Sequence, residues 1–142
     1  MRSNFLISIH PEHSARIFNG QKTAELRNRA VHIPNNSRLW IYETRPTMGI
    51  VGYATVETVV RSRPPEIWKN HGSKLAISKT LFIDYVQNRD IASAIILSDV
   101  TPLQAPIGLK RLKKKEPLFH PPQFYYGLGG KPGLWKILSG AI

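Results

Sequence analysis

Three charged side chains lie close together in the segment Gly20-Gln21-Lys22-Thr23-Ala24-Glu25-Leu26-Arg27. If this segment is a β-strand, Glu25 and Arg27 share one face, and Lys22, at the bend after Gly20, leans over the same opening. An ammonium and a guanidinium bind phosphate or base-edge acceptors, and a carboxylate binds amino groups on a base. The spacing therefore predicts a mixed-charge recognition pocket. The alternative is a Glu25–Arg27 pair on a solvated face, with Lys22 simply exposed, which would contribute little to stability.

Reaction on RNA needs a proton acceptor, a proton donor and a cation beside the phosphate. The candidates for proton transfer are Lys22, Glu25 and Tyr42, with Arg27 as the cationic stabiliser. Tyr42 and Trp40 are predicted to lie on the opposite face of a strand from Ile41. One of the two is a candidate for stacking a base, and core packing is the alternative for Trp40.

A second basic segment occurs later in the chain, where five of the six residues from 110 to 115 are Lys or Arg and aromatic residues follow at 124 to 126. Basic side chains can follow a phosphate backbone while an aromatic side chain accepts a base. A solvated charged turn before the last strand is the alternative. The nucleic-acid-binding candidates are Lys22, Glu25, Arg27, Arg29, Lys110, Arg111, Lys113, Lys114, Lys115 and Tyr125.

Net charge points to the same class of ligand. The chain has 20 Lys and Arg residues against 9 Asp and Glu residues, which leaves +11. Such an excess favours polyanions through counterion release and steers their approach. RNA or a nucleotide is therefore the expected partner. A basic protein whose charge only keeps it soluble, and which binds a protein partner, is the alternative.

Composition excludes several kinds of site. With no cysteine, the chain has neither disulfides nor thiolate-based catalysis, and a reducing compartment fits best. Of the five histidines, only His10 and His13 have a spacing typical of metal ligands, and supporting carboxylates are missing, so neither a metal nor another cofactor is expected. Without a signal-peptide pattern or a long apolar run, the protein is expected to be cytoplasmic and not inserted in a membrane.

Short strands alternate with helices along the sequence. The length of 142 residues and the absence of a linker predict a single domain over residues 1–142. The predicted fold is α+β, a small curved β-barrel of about five or six mixed strands with interposed helices. The predicted strands are 5–9, 22–29, 38–44, 50–60, 91–100 and a weaker closing strand 134–138; the predicted helices are 11–19, one opened by Pro64, and one capped by Ser78.

The pattern GxKxxExR over residues 20–27 resembles the signature of ASCH domains in the PUA-like superfamily. Other segments resemble family elements in the same order along the chain, which extends the similarity over about residues 4 to 126. These are Ile7-Ser8-Ile9-His10-Pro11-Glu12, Phe82 with Tyr85, the segment 94–100 with Leu103, Pro106-Ile107 and Leu109, and Pro121-Pro122-Gln123. The resemblance implies a PUA-like barrel that binds RNA or a nucleotide.

The same resemblance implies two enzymatic alternatives. Some ASCH-like proteins are amidohydrolases that remove the acetyl group of 4-acetylcytidine with a Lys, a Thr and a Glu, and others are ribonucleases. Lys22 coincides with the amidohydrolase lysine, but Glu25 stands where that group has its threonine nucleophile. Thr23 would point away from Lys22 in a strand, so an ordinary strand threonine is the better interpretation. A regulatory protein-interaction module is the third hypothesis.

Overall fold

The computed structural model describes residues 2–142 and is built on one six-stranded sheet. The strand order is β2-β5-β4-β3-β1-β6, and β1 pairs with β3 in parallel while all other pairs are antiparallel. The sheet curls into a half-barrel, which confirms the predicted α+β fold with six mixed strands. The strands are β1 Asn4–Ile9, β2 Ala24–Arg27, β3 Arg38–Glu43, β4 Gly49–Ser62, β5 Ala92–Gly108 and β6 Tyr125–Gly127.

Five α-helices cover the sheet. They are α1 Pro11–Phe18, α2 Pro64–His71, α3 Lys79–Tyr85, α4 Leu109–Lys115 and α5 Pro132–Gly140, with a short 3₁₀ turn at Gly72–Lys74. Three of the helices have Pro in the first turn, where the missing N–H costs no hydrogen bond. Among residues 2–142, none of these helices has the length and hydropathy that a membrane span requires.

Strand β3 shows how the sheet separates two cores. Its side chains alternate between faces, so Leu39 and Ile41 join a cluster with α1, while Trp40 and Tyr42 join a cluster with α4 and α5. A third cluster, under α2 and α3, buries the apolar side chains of β2. The side of β3 predicted for Trp40 and Tyr42 is therefore confirmed. Trp40 is fully buried and donates a hydrogen bond to Asn4 Oδ1 at 3.1 Å, so it is a core residue, not a base-stacking one.

One prediction for the carboxyl-terminal third was wrong. Residues 134–138 lie in helix α5, not in a closing strand, because buried Leu134, Ile137 and Leu138 recur at helical spacings of three and four. The basic run forms helix α4, which buries Leu112 beneath its charged side chains, so the alternative of a solvated turn does not hold.

Strand lengths also differ from the prediction. β5 continues through Pro102 and Pro106, which normally interrupt a strand. Beyond Ile96 only β4 pairs with β5, so this stretch has one unpaired side, as in the edge strands that tolerate proline. β2 is shorter than the predicted 22–29, because Lys22 N bonds to Arg16 O and Thr23 N bonds to Lys74 O before the ladder begins.

The turn between α1 and β2 aims Lys22 at the interior. Gly20 has a φ of 87°, a conformation that glycine adopts without the strain other residues meet. The chain then reverses beside α1, and the Lys22 amide donates to the Arg16 carbonyl at 2.9 Å. The reversal brings the Lys22 side chain under the helix instead of leaving it in solvent.

Candidate nucleic-acid site

A cavity of about 1230 Å³ opens over one end of the sheet. We call it the cleft. Its floor comes from β1, β2 and β3, one wall from α1, and the opposite wall from the α2–α3 region, with the loop at 121–123 beside it. Pockets for small ligands are usually about 300–1,000 Å³, so the cleft has room for an extended ligand.

Lys22, Glu25 and Arg27 form one continuous ionic group on the cleft floor. Lys22 Nζ lies 3.3 Å from Glu25 Oε1, and Arg27 Nη2 lies 2.7 Å from Glu25 Oε2. Lys22 and Glu25 are only 2% and 5% exposed, and the Arg27 side chain is 12% exposed. The Glu25–Arg27 pair therefore exists, but it is buried in a cleft instead of lying on a solvated face.

The group is also anchored to neighbouring elements. Lys22 Nζ donates to Leu75 O at 2.8 Å, and Arg27 Nη2 donates to Ser8 O at 2.8 Å. Ser8 Oγ in turn donates to Pro122 O at 2.6 Å. These bonds join β2 to β1, to the segment before α3 and to the 121–123 loop, so the position of the Arg27 guanidinium is fixed from several sides.

Electrostatics keep the centre of this group charged. Burial alone raises the pKa of the Glu25 carboxyl, but Arg27 and Lys22 outweigh that effect and hold the pKa below its usual value. Glu25 is therefore a weak base that stays ionised. Burial lowers the pKa of the Lys22 ammonium, and Glu25 opposes that shift.

Tyr42 contributes a free hydroxyl to the cleft. The residue is 2% exposed, and its oxygen is buried without a hydrogen-bond partner in the described structure. Burial raises the pKa of the phenol, so the hydroxyl keeps its proton at neutral pH. A buried unpaired hydroxyl costs free energy, and such groups call for an explanation such as a catalytic or ligand-binding role.

His13 on α1 is a cleft residue that the sequence prediction missed as a reactive group. Its Nδ1 is buried without a partner in the described residues. Burial lowers the pKa of the imidazole; Glu25 opposes the shift and Lys22 adds to it. His13 is therefore mostly neutral at pH 7 and can accept a proton. The signal was the helical register of α1, which puts His13 and Arg16 three residues apart on one face.

The lining of the cleft is predominantly cationic. Four Lys or Arg side chains line the cleft, against the two carboxylates Glu12 and Glu25. Arg16 and Arg45 are the two cations that sequence reasoning missed, and they come from α1 and from the loop between β3 and β4. Exposed Arg45 has no acidic partner within ion-pair distance among residues 2–142.

An apolar wall faces these charges. Trp68 is half-buried, packs on Phe82 with ring centroids 5.0 Å apart, and lines the cleft. Leu81 and Tyr85 lie one turn apart on α3 and are largely exposed there. Asn28 Nδ2 donates to Tyr85 O at 3.2 Å, which ties this wall to the end of β2.

Other predicted site residues lie outside the cleft. The Arg29 guanidinium stacks 3.9 Å from the centre of the Phe124 ring, and the Tyr125 hydroxyl accepts a hydrogen bond from His32 N at 3.0 Å. Thr23 is exposed and does not line the cleft. The basic side chains of α4 are all exposed and are likewise absent from its lining: Lys110, Arg111, Lys113, Lys114 and Lys115.

Metal-binding residues do not cluster. Within residues 2–142, no three His, Cys, Asp or Glu side chains are grouped so that they could hold a metal ion.

Comparison with known proteins places this geometry among characterised folds. A family model described as a domain of unknown function (DUF365) matches residues 6–114. An ASCH domain-containing ribonuclease from Zymomonas mobilis is 34% identical over 122 residues, which cover 86% of this chain and 82% of that protein.

Solved structures superpose on this chain over nearly its whole length. The crystal structure of ASCH from Z. mobilis superposes with a TM-score of 0.88 at 32% identity, covering 98% of this chain and 96% of that one. A serine-to-alanine variant of the same protein gives a TM-score of 0.89 over 99% and 98% of the two chains. A protein from Rhodopseudomonas palustris, at 13% identity and a TM-score of 0.51, shares the fold alone.

The curled six-stranded sheet with its lateral cleft defines a small PUA-like α+β protein. Within that class, the chain belongs to the ASCH domain family. The family predicted from residues 20–27 and the ordered similarities is thereby confirmed.

Proposed function

We propose that this protein binds single-stranded RNA in the cleft and cleaves its backbone. The observation that carries the proposal is the buried, unpartnered Tyr42 hydroxyl on the floor of a cation-lined cleft. The 34% identity to a ribonuclease over most of both chains supports the reaction class. Fold likeness alone would not do so, because one fold serves many functions.

Binding uses the two different walls of the cleft. Arg16 and Arg45 offer guanidinium groups, which match phosphate oxygens in pairs of parallel hydrogen bonds. Arg27 donates through Nε and Nη2 to Glu25 and Ser8, so only its Nη1 remains to bind a phosphate oxygen. Trp68 and Tyr85 offer aromatic surface on the other side, on which an unpaired base stacks. A single-stranded segment presents both a free base and its phosphate, and a duplex keeps its bases stacked inside.

In the proposed cleavage reaction, His13 and Tyr42 transfer the protons. The neutral His13 imidazole takes the proton of a ribose 2′-hydroxyl, and the oxygen attacks the adjacent phosphorus. The bond from phosphorus to O5′ breaks, and O5′ takes the Tyr42 proton, which leaves a 2′,3′-cyclic phosphate and a free 5′-hydroxyl. Proton exchange through solvent then restores both side chains.

Lys22 and Glu25, the other proton-transfer candidates, take a positioning role in this proposal. Each is already bonded to the other, and Glu25 is a weak base. Together they hold the Arg27 guanidinium in the cleft, where its charge stabilises the negative charge that grows on the phosphate.

Tyr42→Phe tests the assignment. With end-labelled single-stranded RNA, we expect the parent to release fragments ending in a 2′,3′-cyclic phosphate, and Tyr42→Phe to cleave at least about 100-fold more slowly. Tyr53→Phe is the matched control, because Tyr53 lies on β4 and does not line the cleft. The proposal is wrong if the parent cleaves no RNA, or if Tyr42→Phe and Tyr53→Phe cleave alike.

A further inference from the structure

Helix α4 presents a second cationic surface. We define the α4 surface as the side chains of Lys110, Arg111, Lys113, Lys114 and Lys115, all of which are exposed. None of the five is in an ion pair with another of residues 2–142. None lines the cleft either, so the role proposed for the cleft does not account for them.

Folding does not require these charges. The helix is attached through Leu112, which is fully buried, and through half-buried Leu109. Like charges three and four residues apart, such as Lys110 with Lys114, repel one another on a helix. Lys113 to Lys115 gain some compensation from the negative end of the helix dipole, but Lys110 and Arg111 sit at the positive end. Repulsion between the charges of the α4 surface therefore destabilises the helix locally, and the requirements of folding do not explain why these charges are present.

Helix α5 lies next to this surface. A Cβ on Gly133 would lie 2.5 Å from Lys115 O, so the start of α5 packs directly on the end of α4. Nearby on α5, Trp135 is 38% exposed and Lys136 is exposed. Exposed cations beside a large aromatic side chain are the combination that holds a phosphate backbone and stacks an unpaired base.

We propose that the α4 surface binds the phosphate backbone of the same single-stranded RNA outside the cleft, so that long RNA is held at two places. This inference rests on the proposed function of the cleft. A lipid surface fits less well, because an interfacial helix inserts its apolar face, and α4 has already buried that face in the protein core.

The test compares two probes and two triple variants. The probes are a fluorescein-labelled uridine 20-mer and a labelled uridine dinucleotide. The dinucleotide is too short to reach from the cleft to the α4 surface. The α4 variant is Lys110→Gln/Arg111→Gln/Lys114→Gln. The control, Lys69→Gln/Lys79→Gln/Arg89→Gln, removes the same charge from exposed residues that do not line the cleft. Tyr42→Phe is introduced into every protein to prevent turnover during anisotropy titrations.

We expect the α4 variant to bind the 20-mer about tenfold more weakly at low salt, with a shallower salt dependence. Dinucleotide binding and the melting temperature should not fall, and the control variant should bind the 20-mer much better than the α4 variant does. The inference is overturned if the α4 variant binds like its parent, or if the control loses as much affinity. It is also overturned if phosphatidylserine vesicles, and not the 20-mer, distinguish the α4 variant. If the parent binds neither RNA probe, the proposed function of the cleft fails as well.

Discussion

Glu25 occupies an unusual position for a carboxylate, since it is shared by two cations in the protein interior. Removing one partner of such a group leaves the others charged and poorly compensated, which costs more than the intact group contributes. The arrangement makes Glu25 necessary for the shape of the cleft, whatever ligand the cleft takes.

Glu25→Gln should lower the free energy of unfolding by about 3 kcal/mol, because Lys22 and Arg27 would remain buried without their counterion. Urea denaturation measures the change. Exposed Glu57→Gln is the control and should change the value by no more than about 0.5 kcal/mol. Since the pKa of Glu25 is lowered in the folded state, its contribution is complete above the ordinary carboxyl pKa and is lost as pH falls through the folded-state value. Equal stability of the two variants would contradict this view of the group.

His13 should impose a pH dependence on RNA cleavage. Its pKa lies below the usual 6.5 because of burial, and the proposed reaction uses the neutral imidazole. The cleavage rate should therefore rise as pH increases through that lowered pKa and level off by neutral pH. The groups that shift this titration are Glu25, Lys22, Glu12 and Arg16, in that order after burial.

Initial rates on labelled RNA from pH 4.5 to 8 measure this profile. His13→Gln should lose the acid limb together with most of the rate, whereas His32→Gln, exposed and outside the cleft, should keep the parent profile. A parent rate that does not change over this range would remove His13 from the mechanism.

The sequence could reveal only those site residues that lie close together in the chain. Lys22, Glu25 and Arg27 lie within six residues, and strand alternation is enough to place the last two on one face. Their burial is set by α1 and by the segment near Leu75, far away in sequence, and no local pattern carries it. Arg45 joins the cleft only through the tertiary fold, so sequence reasoning had no means of finding it.

At the scale of elements, α3 forms the apolar wall of the cleft from only seven residues. A helix this short depends on its caps and on packing. Ser78 Oγ accepts a hydrogen bond from Leu81 N at 3.2 Å, as the sequence predicted for an N-cap, and Phe82 is the residue that anchors the helix in the core.

Ser78→Ala should cost about 1 kcal/mol of stability, because the first turn of α3 loses its capping acceptor. Chemical denaturation measures the loss, and hydrogen exchange should locate faster opening in residues 79–85. Ser139→Ala is the matched control, since its hydroxyl bonds only to Lys136 O in the last turn of α5. Protection of α3 amides unchanged from the parent would show that the cap does not hold this wall.

Elements with one strong signal were predicted, and elements with competing signals were not. The strands predicted at 38–44 and 50–60 were found as β3 and β4, because β-branched and aromatic residues are typical of strands. Helix α5 was mistaken for a strand because a short apolar run fits either period, and the helical spacing of its buried residues becomes visible only in the core that it forms with α4. Strand β6 has only three residues and is a strand because it pairs with β1. No local sequence pattern could predict that pairing.

At the scale of the whole molecule, the two proposed RNA contacts have different roles in recognition. The cleft has geometry, burial and reactive groups, whereas the α4 surface has charge without a cavity. Charge contacts orient and retain a nucleic acid, and a shaped site selects where the reaction takes place. Removing the charges of the α4 surface should therefore alter the affinity for long RNA, and removing the reactive groups of the cleft should alter turnover.

The pairing of β1 has a consequence for biosynthesis. This strand pairs on one side with β3 and on the other with β6, so it is synthesised long before the second of its two partners. Between Ile9 and Tyr125, translation takes roughly 6 to 23 seconds at about 5–20 residues per second. Throughout that time, one edge of an apolar strand in the nascent chain lacks its partner. The native protein thus covers a strand edge that is open during synthesis, and we expect its yield in the cell to rise when that edge is protected over this interval.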